Sequence, residues 1–183
     1  MKSVWVVEHL YWINLSRFWK LNRGGAAQLH NGEDHLLNST KSCLDYGVHY
    51  NYQKALSFLK AYRGSRGTFD SYRREIERFL QWSWTIANKT IKELKRGDIE
   101  SFIDFCQEPP KSWIGLKKTT RFIEKEGRRI QNPKWRPFIA TISKVSRRKG
   151  ETPNVKDFEF SEGAVKETFA ILSSFYNYLL QEE

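Results

Sequence analysis

The sequence predicts an all-α chain preceded by an N-terminal arm. Three observations carry this. Apolar residues recur at three- and four-residue steps along several stretches, the period of a helix buried on one side. Good N-caps and Gly or Pro stops bracket those stretches. Aromatic residues make up 15% of the chain, with seven Trp, eight Tyr and twelve Phe, enough bulk to build a core.

Residues 1–23 fit neither period well and read as an arm. Val4 to Val7 suit a short strand, and Leu10, Ile13 and Phe18 suit a helix face. Residues 24–48 read as a loop, with Gly24-Gly25, Asn31-Gly32 and Asp45-Tyr46-Gly47 as turn signals. A helix is expected over 50–62, from the recurrence of Tyr52, Leu56, Phe58, Leu59 and Tyr62. Gly64 stops it, and Gly67 marks the following turn.

The next helix has the strongest pattern. Thr68 is the expected cap, and Asp70 lies near the positive end. Phe69, Tyr72, Ile76, Phe79 and Leu80 form one apolar face, extended by Trp82, Trp84 and Ile86. The other face carries Arg73, Arg74, Glu77, Arg78 and Gln81. Arg73 and Glu77 are spaced as an ion pair. Arg74 and Arg78 are like charges four apart, which costs a few tenths of a kcal/mol unless an anion sits between them.

A third helix is expected from Lys95 or Asp98, with Ile99, Phe102, Ile103 and Cys106 inward and Pro109-Pro110 ending it. Residues 109–160 are broken by Gly and Pro; short helices near 116–126 and 137–147 fit the pattern without being settled by it. The last helix starts after Ser161, with Val165, Phe169, Leu172, Phe175, Tyr176 and Leu179 on its apolar face. A second stripe of Lys166, Ala170, Ser173 and Asn177 is small or polar. Such a stripe suits close approach to a DNA backbone, or equally plain solvent.

Length and composition bound the function. The 183 residues suit one domain or two small ones. Intrinsic disorder, a low-complexity chain and a disulfide scaffold are excluded by the aromatics, by only 11 Gly and 5 Pro, and by only two Cys, Cys43 and Cys106. No apolar run is long enough for a transmembrane helix, so no membrane partner is expected. Met1 to Trp19 does not read as a signal peptide, because Glu8 interrupts it and no small-x-small site follows. A reducing cytoplasm is therefore expected, with both thiols idle or buried.

The net charge is +10 and unevenly spread. Residues 109–160 hold 14 basic and 5 acidic side chains, while residues 161–183 hold 1 and 4. Lys117-Lys118, Arg121, Arg128-Arg129, Lys134, Arg136 and Arg147-Arg148-Lys149 lie in that basic stretch, interleaved with Trp113, Phe122, Trp135 and Phe138. Basic segments with aromatic anchors dock on nucleic-acid phosphate. The competing reading is a solvated loop kept soluble by its cations.

Thr68-x-x-x-Tyr72, followed by Phe79 and Trp82, resembles the opening helix of the core-binding domain of tyrosine recombinases, the phage integrases. The stretch from Thr90-Ile91-Lys92-Glu93-Leu94 through Asp98-Ile99 to Phe102-Ile103 is similar to that family's next turn and helix. Ser161 through Val165, Leu172, Phe175, Tyr178 and Leu179 is similar to its last helix. The likeness covers residues 50–108 and 161–183; it omits 1–48 and the long stretch 109–160. It implies a four-helix SAM-like core-binding bundle at 49–183, with arm and loop at 1–48 and a basic insertion before the last helix.

In that family the helical domain is one jaw of a clamp on duplex DNA, and proteins act as tetramers. A C-terminal jaw carries an Arg, a Lys, a His-x-x-Arg pair and a nucleophilic Tyr. None of the four histidines, His9, His30, His35 and His49, begins a His-x-x-Arg, so catalysis is expected from a domain after residue 183. The resemblance points to Arg73, Arg74, Arg78 and Lys166 as DNA contacts. The basic stretch adds Lys117, Lys118, Arg121, Arg128 and Arg129, and the small stripe adds Ser173 and Asn177.

Other chemistry has weaker support. His30 and His35, near Glu33 and Asp34, read as a polar loop rather than a metal site. No phosphate-binding Gly-rich loop occurs and no cofactor is expected. Tyr176 and Tyr178 sit on an apolar helix and read as packing residues. Two alternatives stand beside the recombinase reading. One is a stand-alone basic helical module binding RNA or protein, with Trp113 and Trp135 stacking on unpaired bases. The other is an interaction scaffold whose arm 1–23 docks on a neighbouring copy or covers its own core.

Overall fold

A computed structural model describes residues 34–182, with side chains from Gly47 onward except those of Arg129 and Gln131. The arm 1–23 and the loop up to residue 33 lie outside the described residues. The chain divides into two units, Met1–Phe69 and Asp70–Glu183.

In the first unit, helix α1 spans Asp34–Lys60. The loop expected over 24–48 is therefore helical from Asp34, and Asp45-Tyr46-Gly47 lies inside the helix. Turn-forming triplets express weak local preferences, and an interior Gly costs only about 1 kcal/mol. Once a turn is nucleated, each further residue adds a hydrogen bond. Val48, Tyr52, Ala55, Phe58 and Leu59 are buried along one side. After Lys60 the chain tightens, with Ala61 N–H bonding Phe58 O at 3.1 Å and Tyr62 N–H bonding Leu59 O at 3.1 Å.

Helix α2 spans Arg66–Trp82, beginning ahead of the expected Thr68. Ser65 takes the capping place: its Oγ accepts from Thr68 N–H at 3.4 Å and lies 2.9 Å from Thr68 Oγ1. Gly67 thus sits in the first turn. Downstream, Ile76, Phe79 and Leu80 are buried as the spacing predicts. The helix continues as a π turn over Ser83–Ala87, which buries Trp84 and leaves Ile86 47% exposed.

Helix α3 spans Arg96–Gln107 and stops before Pro109-Pro110. The Asp98 carboxylate holds its start, accepting from Lys95 N–H at 2.8 Å and from Lys89 Nζ at 2.7 Å. Phe102, Ile103 and Cys106 face inward. The Phe102 ring lies 5.1 Å from Phe79 and 5.3 Å from Trp82, which locks α3 to α2.

Residues 109–160 depart most from the expectation. Strand β1 is Ile114–Gly115, β2 is Phe122–Lys125, β3 is Arg128–Gln131 and β4 is Phe138–Ile139. β1 and β4 pair in parallel, while β2 and β3 form an antiparallel hairpin. Gly115 lets the two strands approach closely: a Cβ there would crowd Ile139 Cδ1 at 3.0 Å and Arg136 Cβ at 3.2 Å. The segment 116–126 is thus loop and strand rather than helix. Glu126 and Gly127 both have positive φ, 53° and 69°, the twist a tight hairpin needs. Of 137–147, only the end is helical, in α4, Lys144–Arg148, whose first turn Ser143 caps. The described residues are therefore predominantly helical with two small two-stranded sheets.

Helix α5 spans Glu162–Gln181 and Ser161 caps it, accepting from Ala164 N–H at 3.3 Å. Thr168, Ile171, Leu172 and Phe175 are buried. Phe169, expected inward, is 41% exposed. It lies about 100° around the helix from Thr168, at the margin of the buried stripe.

Candidate nucleic-acid interface

The Arg-Arg-Glu-Ile-Glu-Arg run of α2 places two carboxylates among three arginines. Both carboxylates turn inward: Glu75 is 3% exposed and Glu77 2%. Glu75 accepts from Arg78 NH1 at 2.6 Å, from Arg74 Nε at 2.8 Å and from Thr168 Oγ1 of α5 at 3.0 Å. The anion between the like-charged Arg74 and Arg78 is therefore the protein's own. Glu77 pairs with Arg121, which reaches α2 from the insertion. Burial pushes the Glu77 carboxyl up to about 7, against the pull of Arg121, Arg73 and Arg78.

Arg78, expected on DNA, is instead enclosed. Its guanidinium lies 4.3 Å from the Phe138 ring centre and 5.5 Å from that of Phe160, and NH2 donates to Pro137 O at 3.3 Å. Phe138 joins Phe105, Trp113, Phe158 and Phe160 in one aromatic cluster. This packing, rather than solvation, holds the insertion on the helices. Arg73 bonds Asp70 at 2.9 Å, an i,i+3 pair, and also feels the charge of Glu77 at i+4. Burial, and after it the nearby Arg121 charge, lowers the Arg73 pKa. Arg74 remains half exposed, with Ser71 Oγ at 3.1 Å and the Glu167 carboxylate at 3.4 Å; Ser71 donates to that same carboxylate.

Four arginines, Arg73, Arg74, Arg78 and Arg121, are thus matched by four carboxylates, Asp70, Glu75, Glu77 and Glu167. Arg78 and Arg121 are structural cations here, because a guanidinium inside the protein cannot reach a phosphate without breaking its pair.

The remaining basic residues of the insertion face outward for the most part. Lys117, Lys118, Lys125, Arg128 and Lys134 are exposed, as is the run Arg147-Arg148-Lys149 on and after α4. The backbone of Arg129 pairs with Glu124 in the hairpin; its side chain lies outside the description. Lys166, Ser173 and Asn177 are exposed along one side of α5, as the stripe predicts. They lie on a different element from the insertion's lysines.

Sequence reasoning missed the organising role of Glu75 and Glu77 and the hairpin turn. The signal for the hairpin was present: Glu126-Gly127 separates Phe-Ile-Glu-Lys from Arg-Arg-Ile-Gln, two short runs of strand length. For the carboxylates the neighbouring arginines are a local signal, but the burial comes from partners in distant segments, Arg121 and Thr168.

The other chemistry-bearing groups are quiet. Cys106 is a free, buried thiol, which burial pushes up to about 12. Burial also moves the Tyr176 phenol up to about 12, and its hydroxyl donates to Ile91 O at 3.3 Å, the setting of a packing residue. Among the described residues no His/Cys/Asp/Glu group could hold a metal ion, and no helix is long and apolar enough to cross a membrane. No protein-family model, no curated protein and no solved structure matches the chain.

Proposed function

We propose that this chain is the DNA-binding core domain of a site-specific tyrosine recombinase, holding duplex DNA on the cationic surface of residues 109–160. One observation carries the duplex-binding reading. The helix arginines are neutralised within the protein, while Lys117, Lys118, Arg128 and Lys134 of the insertion stand in solvent. Surface cations displace counterions from a phosphate backbone, which is a strong sequence-independent attraction. The family reading is supported by the motifs at 50–108 and 161–183. In this reading the helices are those of a SAM-like core-binding bundle. Strand breakage and rejoining then belong to a C-terminal catalytic domain, and copies of the protein assemble as a tetramer on DNA.

The two tryptophans that favour RNA are engaged internally. Trp113 packs edge-on against Phe105 at 5.0 Å, and Trp135 lies 5.2 Å from the Arg121 guanidinium. Duplex binding therefore has the better support.

Fluorescence anisotropy with a mixed-sequence duplex at several salt concentrations tests this reading. Affinity should fall steeply with salt, and Lys117→Ala/Lys118→Ala should flatten the log–log slope by about 2, one unit for each phosphate left without its lysine. Salt-independent binding would sink the proposal. Preferential competition by single-stranded RNA would shift it to the RNA-binding alternative.

A further inference from the structure

We infer that the β2–β3 hairpin is an arm that enters the major groove of duplex DNA, an inference that rests on the duplex-binding reading above. The ribbon is built as a projecting element. Among the described residues, β2 and β3 pair with each other and with no further strand. Its root is fixed twice. Asn132 closes the base, with its N–H to Arg121 O at 2.7 Å and its Nδ2 to Thr120 O at 2.7 Å. Arg121 then ties that base to buried Glu77 of α2 and lies against Trp135. A rooted arm holds its tip in one direction, so contacts made there lose little conformational freedom.

The tip has the chemistry of a base-edge reader. Lys125 and Arg128 face each other across the turn, and strand alternation puts Ile123 and Ile130 on the same face. Lys125 Nζ lies 3.9 Å from the Glu126 carboxylate, and both side chains reach into solvent, 68% and 83% exposed; Ile123 is 38% exposed. The Lys and Arg donors match guanine O6 and N7, the Glu carboxylate matches the cytosine amino group, and the isoleucine matches a thymine methyl. The surroundings supply attraction: residues 116–136 hold eight basic and two acidic side chains.

Groove dimensions choose the polymer. Two strands about 4.8 Å apart form a ribbon that the roughly 12 Å major groove of B-DNA admits. The major groove of A-form RNA is too deep and narrow for side chains to read.

The test uses the full chain and two duplexes of one sequence. One is unmodified; the other carries glucosylated hydroxymethylcytosines, which fill the major groove. The wild type should bind the filled duplex about tenfold more weakly, the loss expected when one good base contact is blocked. Lys125→Ala/Arg128→Ala should bind both duplexes equally and about tenfold more weakly than the wild type binds the unmodified one. Lys117→Ala/Lys118→Ala should keep the discrimination while showing a flatter salt slope. Both Lys125 and Arg128 are exposed, so circular dichroism should show an unchanged fold. Wild-type binding without discrimination overturns the hairpin inference alone, as does discrimination that survives in Lys125→Ala/Arg128→Ala. Equal competition by double-stranded RNA overturns the choice of groove. Absence of any duplex binding overturns the duplex-binding reading and this inference together.

Discussion

Two arginines four residues apart on α2 have opposite fates. Arg74 is half exposed and shares its charge among Glu75, Glu167 and Ser71. Arg78 is shut between Glu75 and two phenylalanine rings. Removing Arg78 takes from buried Glu75 its one enclosed cation, leaving half-exposed Arg74 and Thr168, and empties the space against two rings. Arg78→Ala should therefore destabilise the protein by about 3–5 kcal/mol, whereas Arg74→Ala should cost about 1 kcal/mol or less. Urea unfolding of the two variants checks this, and equal losses would count against it. Variants that remain folded add a second reading: Arg78→Ala should leave the salt slope of DNA binding unchanged. Helical spacing alone could not separate the pair, since both lie on the polar side of the α2 pattern. The difference comes from Pro137, Phe138 and Phe160, which other parts of the chain bring to Arg78.

At the level of elements, caps and stops read well wherever the partner is local. Ser161 caps α5 as expected, because its acceptor and the Ala164 N–H are three residues apart. Replacing it by Ala should lower stability by about 1 kcal/mol, read as a shift in the thermal midpoint. A loss well below that would mean that packing at Thr168 and Ile171, rather than the cap, sets where the helix begins. Pro109-Pro110 ends α3 for the same local reason, since proline cannot continue a helical ladder. The insertion read poorly because its elements are short. Runs of two to four strand residues carry too few positions to show a period, and β1 pairs with β4 across the whole hairpin. The expected helix near 116–126 failed there, although the Glu126-Gly127 turn was visible. The loop expected over 24–48 gives way from Asp34 for the opposite reason: turn-favouring residues are overridden by continuation of a long helix.

Across the described residues from Asp70 on, charge is sorted by depth. Glu75 and Glu77 are buried among the helix arginines, and most cations of the insertion, Arg121 excepted, stand outside. That sorting predicts a pH dependence. Glu77 moves from an ordinary 4.5 to about 7 through burial, so the native chain holds this proton more tightly than the unfolded one. Between pH 4.5 and about 7, therefore, this group makes stability fall as pH rises. Glu93, held down by its hydrogen bonds from Thr90, and Asp98, held down by Lys89 and the Lys95 N–H, act oppositely in the more acidic range. Chemical denaturation from about pH 5 to about pH 8 should show the decline in the wild type and a flatter profile in Glu77→Gln. An identical decline in the variant would assign the effect to another group.

Local instructions in the sequence suffice for the inward stripes of α2, α3 and α5, the Ser161 cap, the proline stop, and the confinement of surplus charge to residues 109–160. Those features depend on residues within one or two turns of each other. Which cations are available to a partner depends instead on packing between distant segments. An arginine is neutralised by whichever carboxylate the fold brings within hydrogen-bonding distance, and here Arg121 meets Glu77 and Thr168 meets Glu75 across long stretches of chain. Low dielectric around those buried pairs makes the match costly to break, so the free charge on the surface is what remains after the core has taken its share.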